Sequence, residues 1–430
     1  MGINLIEKIY RRKKRRIRGK TAFLIMFIII HRFTVGGNVF SRQPEFMKTV
    51  IPVQFLNKSV STAQIRQNMI GTELAAICLS LYRQAAKDNK LSDLDTIRSI
   101  VKQLGIHGYP AVDRENQVDM EKAEQVLAFC EKVKSGKEAE ITVIEVNDQA
   151  GFARYDLHTG GGTVDVVRSY YKYENETLRR EAMVSYRAEN WNETEEGYLM
   201  FSGAYFSDVT YILTLNEEEI YTAWRVMPLD KRCRELNRKY FLPIGYGRNN
   251  MFLVNWNEDD FGELNFYDLY DILRPKTGGR VMPYTAVEDL GFGAVYRIPK
   301  EGFEGVIMDY FKIDAETLRR KTVYYPEDGT YEYRPRGYYE AEYPEYPYPE
   351  VTGYAKNEDG TITLSVQAVF PAMGDSRAYA HEVVVRPLAN GGMQYVSNRV
   401  CPSDDYGDNE AVWHVPRLER DKWEEIYGGK

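Results

Sequence analysis

The stretch ITVIEVNDQAGFARYDLHTGGGTVDVVRSYYKYENETLRREAMVSYR, residues 141–187, decides the fold. Its β-rich runs, Ile141–Val146, Gly151–Leu157, Gly162–Tyr173 and Thr177–Arg187, follow a period of two, which sends successive side chains to opposite faces of a strand. Between them stand Asn147-Asp148 and Gly160-Gly161-Gly162, residue types that supply positive φ at little steric cost. With Glu196–Phe201 added, the runs predict an antiparallel meander.

Upstream the period is helical. From Ser61 a helix of about 25 residues carries Ile65, Met69, Ile70, Leu74, Ile77 and Leu81 at spacings of three and four, giving one apolar face that has to be covered. Ser92–Leu104, stopped by Gly105, and Asp119–Val133, stopped by Gly136, read as two more helices with capping residues at their starts. Downstream, Thr222–Tyr246 reads as helical and contains a soft boundary. Short helices follow at Asp259–Leu273, Phe303–Phe311 and Asp314–Arg320. Strands are expected at Tyr331–Arg336, Glu350–Tyr354, Thr361–Phe370, Ala380–Pro387 and Gly392–Val396, with hairpin turns at Asn357-Glu-Asp-Gly and Asn390-Gly-Gly. The fold class is therefore α+β, in two modules: 61–228, and 229–430 with a helix-on-curved-sheet arrangement.

Composition agrees. The chain has 430 residues, 43% hydrophobic and 28% charged, which is globular and excludes intrinsic disorder. Tyrosine, at 33 copies, equals glycine, and aromatic residues favour pleated surfaces.

Charge is uneven. The first 20 residues hold nine basic side chains against Glu7, a net of +8 in a chain of net −7, so the rest carries about −15. This block runs into Thr21–Ile30, an apolar stretch that a nucleic-acid-binding arm would not expose, and basic-then-apolar is the order of an export signal. Ten helical residues reach only about 15 Å of a ~30 Å hydrocarbon core, and His31 and Arg32 close the run. Residues 1–37 are accordingly read as an export signal or membrane anchor and 38–60 as a linker. The expected location is extracytoplasmic, membrane-anchored or secreted. The expected partners are the membrane and an envelope ligand or protein, not nucleic acid.

The segments GYPAVDRENQVDM (108–120), TAWRVMPLD (222–230), FEGVIMDYF (303–311) and HEVVVRP (381–387) resemble an uncharacterised family of exported proteins from anaerobic Gram-positive bacteria. The resemblance runs from about residue 61 to the end. It implies an envelope protein but brings no activity, cofactor or catalytic residue with it.

Motifs for chemistry are sparse. Cys78, Cys130, Cys233 and Cys401 lack Cys-x-x-Cys or metal-ligand spacing and read as structural. His107, His158, His381 and His414 have no partner at metal spacing; His381 alternates with Val383 and Val385 and reads as a strand-end or half-buried residue. Glu258-Asp259-Asp260 with Glu263 would suit a pair of glycosidase carboxylates, but Asn257 ahead of them makes a capped first helical turn the plainer account. No catalytic residue, metal ligand or cofactor is assigned, and no phosphate loop, nucleophile elbow or dinucleotide fingerprint occurs.

Two stretches are candidates for binding. Trp224 and Arg225, near Asp230, Arg232, Arg234 and Arg238, combine an indole face with guanidinium forks, against the plainer account of a solvated helix face. In the segment 338–350, Pro344, Pro347 and Pro349 impose an extended backbone that displays Tyr343, Tyr346 and Tyr348, either as an exposed ribbon or as rings packed on the module. The expected function is non-enzymatic binding of a ligand or partner in the envelope. The alternative is a hydrolase of cell-wall glycan or peptide, with acids or histidine converging from distant positions.

Overall fold

The structure, a computed structural model, describes residues 62–277, 285–286, 295–336, 346–401 and 413–427. The expected leader (1–37), the linker (38–60) and residues 338–345 of the Tyr-Pro segment, Tyr343 among them, lie outside the described residues. The fold is α+β, with helices beside antiparallel sheets.

The first module opens with α1 (Thr62–Lys87) and α2 (Leu94–Ile106), which bury Leu74, Cys78 and Tyr82, and Ile97, Ile100, Val101 and Leu104, at helical spacing. A short strand β1 (Ala111–Asp113) precedes α3 (Ala123–Lys134). The meander follows as β2 (Ala139–Asn147), β3 (Gly151–Gly160), β4 (Thr163–Glu174) and β5 (Thr177–Arg187), where Gly161 and Gly162, at φ 63° and 82°, make the β3–β4 turn. One departure from the expected meander is β1, which adds parallel to β2 at the sheet edge. Its three residues give no period to read.

Alternation divides this sheet between two cores. Ile144, Val146, Phe152, Tyr171 and Tyr173 pack under α1 and α2, while Val143, Ala153, Tyr155, Leu157, Val164 and Val166 pack on the other face with Val126, Phe129 and Val133 of α3. That second face is also covered by a three-stranded sheet, β6 (Asn190–Glu193), β7 (Tyr198–Tyr205) and β8 (Glu218–Arg225), through Leu199, Phe201 and Trp224. A seven-residue helix, α4 (Asp208–Thr214), joins β7 to β8.

The second module begins with α5 (Lys231–Tyr240), capped by Asp230. Here the expected helix over 222–246 is corrected: Thr222 to Arg225 complete a strand, because their alternate residues find a core on one side and a second module on the other. The expected helix from Asp259 is also shorter. Asn257, in β9 (Trp256–Asn257), does accept from the backbone N–H groups of Asp259 and Asp260 at 2.8 and 2.9 Å, but this closes a turn. The helix α6 (Phe266–Leu273) starts only after its own cap, Asn265.

Next come β10 (Thr285–Ala286), β11 (Tyr296–Pro299), α7 (Lys300–Tyr310), α8 (Ala315–Arg320), β12 (Tyr324–Tyr325) and β13 (Thr330–Tyr333), the strands forming a sheet in the order β10-β11-β13-β12. Then β14 (Tyr348–Lys356), β15 (Ile362–Phe370), β16 (Asp375–Pro387) and β17 (Met393–Cys401) form an antiparallel meander completed by β9, and α9 (Arg420–Tyr427) is the last described element. One large core holds Leu236 and Tyr240 of α5, Leu269 and Tyr270 of α6 and Phe303 of α7 against Leu364, Val366, Val383 and Tyr395 of this meander. Every described strand pairing stays within residues 111–225 or 256–401.

His381 is a second correction. It is 1% exposed on β16, because its strand face turns into the core instead of to the rim. Asn398 donates to Val254 O at 2.7 Å, which fixes its amide and leaves Oδ1 to accept from His381 Nδ1 at 2.7 Å. His381 Nε2 then accepts from the Tyr246 hydroxyl at 2.9 Å. Burial, outweighing the Asn398 bond, lowers the imidazole pKa to about 4.

Candidate functional site at the seam between the modules

The far face of the β6–β8 sheet lies against the second module, and Tyr198 and Met200 meet Val369 there. Strand alternation splits the expected Trp224 and Arg225 pair. Trp224, 0% exposed, points into the first core, where its indole N–H donates to Glu145 Oε2 at 3.1 Å. Arg225, 7% exposed, points into the seam and donates to Glu350 Oε1 at 2.7 Å. Glu350 also accepts from the Tyr198 hydroxyl at 2.6 Å and from Gln367 at 3.1 Å. Burial raises the Glu350 carboxyl above its ordinary range, against the pull of Arg225.

Beside this pair stands Asn116, in the left-handed conformation at φ 52°. Its amide oxygen accepts from the backbone N–H of Arg225 at 2.8 Å, and its amide nitrogen donates to Ala223 O and to the Tyr348 hydroxyl, both at 3.1 Å. A side chain thus takes the place of a neighbouring strand at the edge of β8. Arg234 of α5 bonds the Asn116 carbonyl and Asp119, and Asn237 donates to Pro349 O at 2.9 Å. Asp119, expected to open a helix, instead anchors Arg234 and the backbone N–H of Leu229 across the seam.

Between the modules lies a cleft of about 420 Å³ that Arg168, Tyr170, Glu218 and Tyr221 of the first and Tyr346 of the second help to line. That volume falls in the ~300–1,000 Å³ range of small-molecule sites, which favour module boundaries. Arg168, on β4, is 8% exposed and lies between the rings of Tyr155 and Tyr170, 4.9 and 4.6 Å from their centroids. One guanidinium nitrogen pairs at 3.6 Å with Glu145, which Arg114 also holds at 3.1 Å, and its buried Nε has no hydrogen-bond partner among the described residues. Glu218 accepts from Thr210 of α4 at 2.7 Å, and this and further hydroxyl bonds hold its carboxyl below the ordinary range.

Of the Tyr-Pro residues, Tyr346 is half-buried on the cleft wall, its ring 3.3 Å from where a Cβ on Gly247 would stand. Tyr348 is in the seam itself, its hydroxyl 3.4 Å from that of Tyr198. The sequence reading missed Arg168, Asn116 and Glu350. A signal existed for Arg168, which shares the strand face of Val164 and Val166 at period two and so had to be buried.

The acids and histidine weighed for hydrolysis are dispersed. Glu258 is held by Arg386 through two bonds at 2.6 and 2.8 Å, and His381 is sealed in the core; Asp309, a further acid that a hydrolase could have drawn in, lines a different depression. Among the described residues no group of three or more metal-ligating side chains occurs, and no helix is long and apolar enough to cross a membrane.

A second buried ionic cluster closes the carboxy-terminal module. Asp268 of α6, wholly buried, accepts from Arg336 at 2.7 and 3.0 Å and from Arg417 at 2.6 Å, with His414 at 2.8 Å. Burial alone would raise this carboxyl; the bonds from His414 and Arg336 and the charge of Arg417 outweigh it and hold it below its ordinary value.

Fold and site together define a two-module α+β protein with an aromatic, arginine-bearing cleft at the module seam. The chain belongs to the Family of unknown function (DUF6070), whose model matches residues 66–417. No curated protein and no solved structure matches it.

Proposed function

We propose that this chain is a non-enzymatic, extracytoplasmic envelope protein, held at the membrane by its amino-terminal segment, that binds a ligand or partner in the seam cleft. The observation that carries the reading is the wall of this cleft, where the rings of Tyr170 and Tyr346 stand beside the arginine Arg168. The basic and apolar residues 1–30, and the resemblance to exported Gram-positive proteins, support the location. A hydrolase of wall glycan or peptide has less support, since its candidate acids are engaged or apart.

The test has two arms. Fractionation of the native host should place the full-length protein with membranes, and a purely cytosolic distribution would refute the location. Incubation of the detergent-solubilised full-length protein with envelope extracts should retain a ligand that Tyr346→Ala loses. Equal retention by parent and variant would refute the cleft.

A further inference from the structure

Resting on the cleft reading above, we propose that the site takes a neutral, elongated carbohydrate of more than one ring. The cleft adjoins a second depression of about 410 Å³, and both share Glu219, Tyr221, Pro371 and Ala372, so that they form one two-lobed groove along β8 and the turn after β15. The lobes differ in chemistry. One offers the rings of Tyr170 and Tyr346 with Arg168; the other offers Asn190, Asn192 and Ser202, with Glu189 and Glu219. Register explains the polar lobe: Asn190, Ser202 and Tyr221 lie in one row across β6, β7 and β8, on the sheet face opposite Phe201 and Trp224.

Charge selects among ligands. Glu145 is shared between Arg114 at 3.1 Å and Arg168 at 3.6 Å, which leaves one cation over, and against it the groove is lined by the three carboxylates of Glu189, Glu218 and Glu219, so its balance stays negative and disfavours phosphorylated or carboxylated ligands. A cationic peptide would meet those acids favourably but would place like charge beside the Arg168 guanidinium, whose partner Glu145 is shared with Arg114. A polyol suits both lobes. Hydroxyls donate to Glu219, the amide of Asn192 both donates and accepts, and the apolar face of a pyranose lies on a tyrosine ring.

The experiment is calorimetric titration of the solubilised full-length protein with three probe sets: neutral glucose-, mannose- and N-acetylglucosamine-based oligosaccharides, uronic-acid oligosaccharides, and oligolysine. The expected result is binding of a neutral oligosaccharide, weakened about tenfold or more by Tyr346→Ala in one lobe and by Asn192→Ala in the other. Both variants alter solvent-accessible side chains, and their melting curves report whether the fold persists. Absence of binding by every neutral oligosaccharide overturns the inference, as does binding that neither variant weakens. Tyr346-dependent binding of oligolysine or the uronic acids alone also overturns it, while leaving the cleft as the binding site.

Discussion

Arg225 and Glu350, 125 residues apart in the chain, meet at 2.7 Å in the seam, with side chains 7% and 5% exposed. Each comes from a different module, so the pair fixes how the modules sit around the cleft.

Glu350→Ala should therefore destabilise strongly, by ~3–5 kcal/mol, because it strands a buried guanidinium. The double replacement Arg225→Met, Glu350→Leu should recover much of that loss. Chemical denaturation of the three proteins checks both expectations; equal stability of parent and Glu350→Ala would show that the pair does not join the modules.

Tyr346 and Tyr348 should part company. Tyr348→Ala removes a ring in the seam and a partner of Asn116, at a cost of roughly 3 kcal/mol. Tyr346→Ala, on the half-buried cleft wall, should cost less than half as much. Melting temperatures of the two variants measured side by side decide the order.

His381 should give stability a defined pH dependence. Its imidazole pKa falls from 6.5 to about 4 in the fold, so the unfolded chain takes up a proton more readily between those values. The contribution is complete above pH 6.5 and is lost as pH falls towards 4, amounting to roughly 3 kcal/mol at 1.36 kcal/mol per pKa unit. The neighbours of the ring are Tyr246, Asn398 and aromatic side chains, none of them charged in this range. The stability of His381→Gln should accordingly be flatter than the parent's between pH 4 and 6.5, measured by denaturant titration across that range.

Thiol reactivity should rank by burial. Burial pushes the thiols of Cys78 and Cys130 up to about 12 and that of Cys233 to about 11, so all three stay protonated and shielded at neutral pH. Cys401, partly exposed at the end of β17, should react first with iodoacetamide, as peptide mass mapping of the native protein would show.

The helix α4 exposes Val209 and Ile212, 68% and 73% exposed. Replacing both by Ser should change stability by no more than about 0.5 kcal/mol each while lowering the binding of a hydrophobic dye. A large drop in melting temperature would mean that the tip is packed.

Much of this fold was legible because period is a local property. The runs from Ile141 to Arg187 and the long helix from Thr62 appear within a few residues of where they were expected. Thr222-Ala-Trp-Arg was misread because four residues carry no period of their own, and their strand conformation comes from two cores on opposite sides. The site was less legible than the fold. Trp224 and Arg225 were marked for their chemistry, yet which of two adjacent side chains faces the seam depends on register against β7, which no local pattern states. Tyr346 reached the cleft, whereas Glu350, two residues past Tyr348, could be noticed only once Arg225 stood opposite it.

Asp268 sets an order of events during synthesis. A carboxylate with no exposed surface is tolerable only beside Arg336 and Arg417, and the second of these leaves the ribosome 149 residues after the acid. Until then Arg336 alone answers this acid, so the carboxy-terminal core closes incompletely and the second half of the chain stays open to chaperones and proteases until Arg417 has emerged. A stop codon at or before position 417 would then remove Arg417 and act as a folding defect rather than a trimmed tail.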